Sequence, residues 1–166
     1  MQSKNYPLNR HSKLQRGAHK NAPGWKKCGK NCKICPYTLD KTNVVTGLAS
    51  GHSHQIKEAV TCDSENVIYY WKCTKHNCED FPNCEYVGKT KRKFKDRLAE
   101  HRDYPKRDVV TEPSGGHFTK RGHNVSDLKG LVLEQVRSRD PFILKSREHM
   151  LIQKFDTFRN GLNQEP

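Results

Sequence analysis

The sequence predicts a small α+β domain with a three-stranded antiparallel sheet flanked by helices. Its 166 residues can bury one modest core, but two independent cores are not expected. Segments with strand composition and segments with helical spacing follow each other in the order strand, strand, helix, strand, helix. Neighbouring strands without a long crossover pair as hairpins, so the sheet should be antiparallel.

Three segments have the composition of β-strands. Val67–Cys73 is rich in β-branched and aromatic residues, and residues 85–88 form a second, shorter strand. The segment between them is polar and contains Pro82, which predicts a long hairpin loop. Residues 128–136 are expected to form the third strand.

The first helix is predicted over residues 91–102. Thr90 is a suitable N-cap for it, because a hydroxyl there can accept a hydrogen bond from a free backbone N–H. Phe94 and Leu98 lie four residues apart and therefore share one face. Pro105 is expected to stop this helix.

The last helix has clear signals at both ends. Residues 113–116, Pro-Ser-Gly-Gly, are predicted to be a loop before the third strand. Asp140 and Pro141 then form a strong helix start, an N-cap carboxylate followed by a proline in the first turn. This helix should run to about Phe158, with Gly161 as the residue that breaks it.

Composition divides the chain into three parts. Residues 1–25 are basic and without periodicity, and are predicted to be a disordered arm. Residues 26–65 form a cysteine-rich extension that is expected to bind zinc, and residues 66–166 form the folded domain. The formal net charge is +13, which favours nucleic acid as a partner.

The seven cysteines are expected to bind metal. No apolar secretory signal opens the chain, which predicts an intracellular or nuclear protein in which disulfides are uncommon. No long apolar run is present, so no membrane span is expected. Cys28, Cys32 and Cys35 have the tight spacing of zinc ligands. The fourth ligand is Cys62 or, alternatively, His52 or His54.

Two helices carry residues suited to chemistry on phosphate. Arg97 and His101 are four apart on one helix face, and these side chains can hold a phosphate and move a proton. Glu148 lies within an apolar stripe, where a carboxylate is unfavourable unless it is paired or bound to metal. A salt bridge to an arginine such as Arg97 is the alternative. The stripe consists of Leu144, Leu151 and Phe155.

These residues occur in an order that resembles the signature of the GIY-YIG nucleases. The matching segments are Val67-Ile68-Tyr69, Tyr86-Val87-Gly88, Arg97 with His101, Glu148, and Asn163. Val67 departs from the pattern, because that family usually has glycine there. The chain is most similar to the nuclease domain of Penelope-like retroelements, which carries cysteines between the tyrosine triplets and two later histidines. Their counterparts here are Cys73, Cys78, Cys84, His117 and His123.

The resemblance implies a metal-dependent DNA endonuclease. Glu148 would bind Mg²⁺ or Mn²⁺, Tyr69 would help to deprotonate the attacking water, and Arg97 would neutralise charge on the phosphate. Tyr86, His101 and Asn163 would orient the reacting groups and brace the site. DNA would be the partner, with a reverse transcriptase of the same element as a second one. The expected phosphate-binding residues are Lys89, Lys91, Arg92 and Lys93.

The resemblance also implies a second structural zinc ion. Cys73 and Cys84 flank the predicted hairpin and, with His117 and His123, would bind it, while Cys78 is the alternative to Cys84. The competing reading of the whole chain is a zinc-stabilised nucleic-acid-binding module without catalysis. That module would need the cysteines and the basic charge, but not Glu148, Arg97 and the tyrosines together.

Overall fold

The computed structural model describes residues 22–29 and 31–166. Three helices of this part are α1 (Phe94–Lys106), α2 (Pro113–Phe118) and α3 (Pro141–Phe155). The strands are β1 Gly24–Trp25, β2 Val44–Thr46, β3 Ser53–Gln55, β4 Ala59–Val60, β5 Val67–Cys73, β6 Glu85–Thr90 and β7 Leu128–Gln135. The α+β class predicted from the sequence is therefore confirmed.

The largest sheet has the strand order β6-β5-β7, and all of its pairings are antiparallel. Its central strand, β5, is buried at every position except Lys72, which is half-buried. This burial explains why the strand is apolar or aromatic at every position except Lys72, instead of alternating with polar residues. Tyr69 pairs with Gly88 of β6 on one side and with Val132 of β7 on the other.

Helix α1 begins and ends later than the sequence predicts. It starts at Phe94 after Lys93, which makes no side-chain cap, while Thr90 is still the last residue of β6. Pro105 lies inside the final turn and does not stop the helix. Pro105 has no N–H to donate to the carbonyl group four residues earlier, so one helical hydrogen bond is lost, and the helix ends one residue later.

Residues 113–116 are helical, so the predicted loop is wrong. They form the first turns of α2, with Pro113 at its start. A Cβ on Gly115 would lie 1.9 Å from the Val109 carbonyl oxygen, and one on Gly116 would lie 2.9 Å from the Val110 carbonyl oxygen. These glycines let the preceding chain approach the helix closely, and are not signs of a loop.

Helix α3 starts where the sequence predicts. The Asp140 side chain accepts a hydrogen bond of 2.9 Å from the backbone N–H of Phe142. The helix ends at Phe155, before the predicted Phe158 and Gly161, because Asp156 takes the left-handed conformation with φ of 55°. The predicted apolar stripe, Leu144, Leu151 and Phe155, is buried.

The segment before β5 shares the core of the sheet. Trp25 is fully buried, donates its indole N–H to the Leu39 carbonyl oxygen at 2.9 Å, and packs edge-on against Phe94 at 5.5 Å. The predicted disordered arm, residues 1–25, is therefore wrong at its end, because a buried tryptophan fixes the chain there. Residues 1–21 of that arm lie outside the described residues.

Candidate active site and metal clusters

Four thiols meet between the N-terminal segment and the residues before β5. The Sγ atoms of Cys28, Cys32, Cys35 and Cys62 all lie within 4.8 Å of one another. The Sγ atom of Cys35 is 3.8 Å from that of Cys28 and 3.6 Å from that of Cys62. Tetrahedral zinc with Zn–S bonds of about 2.3 Å holds its sulfurs about 3.8 Å apart. This four-cysteine cluster is positioned to hold a zinc ion.

The two alternative ligands of this cluster have other contacts. His52 directs its Nδ1 atom to the Lys154 carbonyl oxygen, at 3.0 Å. His54 lies in β3, opposite Val45. Neither is among the residues that could hold a metal together with Cys28, Cys32 and Cys35. Of the three candidates, Cys62 is the fourth ligand that the geometry supports.

The charge states of the thiols differ within the four-cysteine cluster. Burial raises the pKa of Cys28 to about 11. Although burial opposes it, hydrogen bonds from the Gly29 backbone and from the neighbouring thiols lower the pKa of Cys35 to about 7. Cys35 therefore loses its proton before Cys28, and a bound cation would draw the proton from Cys28.

A second set, here called the mixed cluster, joins β5, the hairpin loop and the region of α2. Its members are Cys73, Cys78, His117 and His123, whose ligand atoms also lie within 4.8 Å of one another. The Cys78 Sγ atom is 3.8 Å from Nε2 of His117 and 3.5 Å from Nε2 of His123. These separations match a zinc ion with mixed sulfur and nitrogen ligands, for which about 3.5 Å is expected.

The mixed cluster contains Cys78 in the place predicted for Cys84. Cys84 lies directly across the hairpin from Cys73, whose backbone N–H donates to the Cys84 carbonyl oxygen at 2.9 Å. The Cys84 Sγ atom faces the Cys73 carbonyl oxygen at 3.9 Å. The hairpin loop carries Cys78 back toward the histidines, which sequence spacing alone does not reveal.

Two carboxylates lie behind the histidines of the mixed cluster. His117 Nδ1 is 2.9 Å from an Asp80 oxygen, and His123 Nδ1 is 3.6 Å from a Glu79 oxygen. A carboxylate that accepts a hydrogen bond from Nδ1 orients a metal-bound histidine so that Nε2 faces the ion, and here Asp80 and Glu79 are near both rings although neither Nδ1 atom makes a well-directed hydrogen bond. Burial and the neighbouring His123 lower the pKa of His117 to about 4, which keeps the ring neutral as a ligand must be. Neither acid was predicted from the sequence, although both directly follow Cys78.

The predicted catalytic residues of β5 and α1 are bonded to each other. The Tyr69 hydroxyl is 2.8 Å from Nε2 of His101 and accepts a hydrogen bond of 3.1 Å from Nε of Arg97. Arg97 also donates to Glu100 at 2.8 Å and to the Tyr104 hydroxyl at 3.0 Å. The guanidinium is therefore fixed by side chains on its own helix.

Burial sets the protonation of this network. Tyr69 and His101 are both fully buried. Burial and the neighbouring Tyr86 raise the pKa of Tyr69, although Arg97 acts in the opposite direction. Burial, together with Arg97, lowers the pKa of His101 well below its usual value. At neutral pH the network therefore consists of a neutral phenol, a neutral imidazole and a guanidinium cation.

Gly88 lets the two predicted catalytic phenols converge. A Cβ on Gly88 would lie 2.5 Å from the Tyr69 hydroxyl oxygen and 2.6 Å from Cε1 of Tyr86. The ring centroids of Tyr69 and Tyr86 are 6.2 Å apart. Only glycine leaves room for both rings at this point of the sheet.

A cleft of about 350 Å³ opens beside these rings. Tyr86, Lys89, Glu112, Glu148, His149 and Asn163 are among its lining residues. The Glu148 carboxylate forms an ion pair with Lys89 and not with Arg97, which was the expected alternative partner. The negative charge of Glu148 raises the pKa of Tyr86 after the larger effect of burial, so the two groups are close neighbours.

Asn163 is bonded to the edge strand of the sheet. Its side-chain oxygen accepts from the Val87 backbone N–H at 3.0 Å, and its side-chain nitrogen donates to the Val87 carbonyl oxygen at 2.8 Å. The amide thus takes the place of a neighbouring strand beside β6 and ties the chain after α3 to the cleft.

The predicted phosphate-binding residues form an exposed group at the end of β6. Lys89, Lys91, Arg92 and Lys93 are all exposed. Arg92 is paired with Glu100 at 2.6 Å, and Lys89 with Glu148. In the sequence, this group runs from the end of β6 to the start of α1. Arg92 and Arg97 both pair with Glu100, so the group lies beside Arg97.

Searches with protein-family models, among curated proteins and among solved structures return no match to this chain. Within the described residues, no helix is both long and apolar enough to cross a bilayer. Function is therefore inferred from the chemistry of the residues themselves.

Proposed function

We propose that this protein is a metal-dependent DNA endonuclease of the GIY-YIG type, related to the nuclease of Penelope-like retroelements. The observation that carries the proposal is the convergence of Tyr69, Arg97 and His101 in one hydrogen-bonded network. The ring of Tyr86 lies 5.6 Å from that of His101 and lines the cleft that also contains Glu148. The sheet with its helices would then be the GIY-YIG domain.

Phosphodiester hydrolysis requires a proton acceptor, a cation near the phosphate and a group that stabilises negative charge. A divalent ion such as Mg²⁺ or Mn²⁺, held by Glu148, would supply positive charge next to the phosphate. The carboxylate fits this role because it already holds a cation, the Lys89 ammonium group. Arg97 is fixed by Glu100 and Tyr104 and would stabilise the charge that develops on the phosphate.

The two tyrosines would have different tasks. Tyr86 lines the cleft, so its phenol can contact the attacking water. Tyr69 is fully buried behind it and is bonded to Arg97 and His101. Tyr69 would therefore act on the water through the neighbouring phenol and the local positive field, and His101 would support it from behind.

DNA is the proposed partner because of the charge of the chain. The formal net charge of +13 favours an anionic polymer, and the exposed basic group at residues 89–93 lies next to the cleft. The two clusters that could hold zinc would stabilise a domain with few apolar residues. A reverse transcriptase of the same element would be the second partner.

A nucleic-acid-binding module without catalysis is the second candidate. The metal clusters and the positive charge favour this module as much as they favour a nuclease, because neither feature requires cleavage of the bound strand. Retention of DNA binding with no cutting by the wild-type chain would support this candidate. The ordered network around Tyr69 favours the nuclease, since a binding module has no need of it.

The test is the nicking of supercoiled plasmid by the zinc-loaded protein with Mg²⁺. We expect Glu148→Gln to abolish cutting and to leave the Kd for DNA within about twofold, while Glu65→Gln, at an exposed acid, serves as the control. Arg97→Ala should lose at least about tenfold in rate, since one charge-assisted contact in a transition state contributes roughly 1.4 kcal/mol or more. Cutting by Glu148→Gln at the wild-type rate would refute the proposal.

A further inference from the structure

Ser114 is a buried hydroxyl beside the network described above. It lies in the first turn of α2 and is fully buried. Its Oγ atom is 3.1 Å from Nδ1 of His101. Within residues 22–29 and 31–166, this is the hydroxyl's only hydrogen-bond partner.

The protons of this chain can be placed by counting donors and acceptors. If His101 donated from Nδ1 to Ser114, the serine proton would have no acceptor among the described residues, and a buried unsatisfied donor is unfavourable. If Ser114 donates to Nδ1 instead, both of these groups are satisfied, and the hydroxyl that must find another acceptor is that of Tyr69, which has the Tyr86 phenol beside it. The proton of the neutral imidazole then lies on Nε2 and points at the Tyr69 oxygen, 2.8 Å away.

We propose that Ser114 is a positioning residue for the catalytic network, holding His101 in the tautomer that donates from Nε2 to Tyr69. The Tyr69 oxygen then accepts two N–H bonds, one from His101 and one from Arg97. Negative charge on that oxygen is stabilised by both donors, as in an oxyanion hole.

The same arrangement directs the Tyr69 hydroxyl proton toward the cleft. Because the two nitrogens occupy the acceptor positions of the oxygen, its own O–H must point elsewhere. The Tyr69 oxygen and Cε1 of Tyr86 both lie within 2.6 Å of the point where a Cβ of Gly88 would stand. Burial raises the pKa of Tyr86 and a hydrogen bond with Tyr69 acts in the opposite direction, so the free direction of the Tyr69 hydroxyl is on the side of Tyr86, which lines the cleft.

The first test is the tautomer of His101, and it needs neither Mg²⁺ nor DNA. Zinc-loaded protein labelled with ¹⁵N in histidine gives distinct NMR shifts for protonated and unprotonated ring nitrogens, assigned through bonds to the backbone of residue 101. We expect a protonated Nε2 and an unprotonated Nδ1 that accepts a hydrogen bond. A protonated Nδ1 in the wild-type protein would overturn the assignment.

The second test removes the Ser114 hydroxyl with one variant and restores a hydroxyl with another. In Ser114→Ala the Nδ1 resonance should move toward that of a nitrogen without a hydrogen bond, and plasmid nicking should fall about tenfold with the Kd for DNA unchanged. Ser114→Thr keeps a hydroxyl and should restore both. Thr157→Val is the matched control, because it removes a buried hydroxyl that has no partner among the described residues.

The role of Ser114 in cutting rests on the proposed nuclease, but the two can fail separately. A wild-type protein with the expected tautomer and no Mg²⁺-dependent nicking would refute the nuclease and leave the hydrogen-bond assignment standing. Active wild-type protein with a protonated Nδ1, or with a Ser114→Ala variant of unchanged rate and unchanged Nδ1 shift, would refute the positioning role and leave the nuclease standing.

Discussion

Lys89 and Glu148, which both line the cleft, form an ion pair. The Glu148 side chain is 14% exposed, and that of Lys89 is 38% exposed. The lysine ammonium group therefore lies at the carboxylate that is proposed to hold the divalent cation. A lysine and a metal ion would compete for the same oxygens, and a bound ion would leave the lysine available to a phosphate.

This competition predicts the effect of removing the lysine charge. In Lys89→Met, the Mg²⁺ concentration that gives half-maximal nicking should fall by up to about fivefold, because a partly exposed ion pair contributes roughly 1 kcal/mol or less. The measurement is a Mg²⁺ titration at saturating DNA, so that loss of a phosphate contact does not obscure it. An unchanged or higher Mg²⁺ requirement would show that Lys89 does not compete with the ion.

Gly88→Ala should lower the nicking rate while leaving the fold intact. The new methyl group would meet the Tyr69 hydroxyl and the Tyr86 ring at 2.5 and 2.6 Å, so at least one phenol must move. Misplacement of a reacting group by about 1 Å can lower a rate by about a hundredfold. We expect a loss of this size in nicking, with zinc content and circular dichroism close to the wild type. A fully active variant would mean that the phenols are not required.

Variants of Cys78 and Cys84 test which of the two cysteines is a ligand in the mixed cluster. Wild-type protein should contain two zinc ions, one in each cluster. Cys78→Ala should lose one of them, whereas Cys84→Ala should keep both, because the Cys84 Sγ atom faces a backbone carbonyl oxygen. Elemental analysis of the purified proteins counts the ions. Removal of all zinc with a strong chelator should unfold the domain, and an unmoved dichroism spectrum would contradict a structural role.

Acid should destabilise the protein through His101. Its pKa is lowered in the folded state, so between that value and about 6.5 the unfolded chain binds the proton and the folded chain does not. The free energy of unfolding therefore falls as pH decreases below about 6.5, by up to about 1.4 kcal/mol per pH unit from this group. Denaturation of zinc-loaded wild type and His101→Gln at pH 6.5 and 5.5 measures it. An equal decrease in both proteins would assign the acid sensitivity to other groups.

Local signals in the sequence were sufficient for several elements. The strand Val67–Cys73 and the start of α3 at Pro141 were predicted correctly, because composition and an N-cap act over a few residues. The glycines of α2 were misread, since their role is to admit the carbonyl groups of Val109 and Val110. That contact lies between segments and leaves no periodic pattern.

For the candidate site, too, the local order of residues was informative, whereas contacts between segments could not be predicted. The order of Tyr69, Tyr86, Arg97 and Glu148 along the chain indicated one site, but it could not reveal that Tyr69 is buried behind Tyr86. Spacing also could not decide between Cys78 and Cys84, because the path of the hairpin loop decides it. Ser114 gave no signal of its own, since a lone serine is common and only the packing of α2 brings it to His101.

Helix α2 is only six residues long, yet it carries both Ser114 and His117. One of these residues is bonded to His101, and the other belongs to the mixed cluster. Loss of zinc from the mixed cluster would therefore loosen the contact between Ser114 and His101 and lower the activity of the proposed nuclease, even while the four-cysteine cluster stayed loaded. The proposed nuclease would in this way cut DNA only when zinc is abundant.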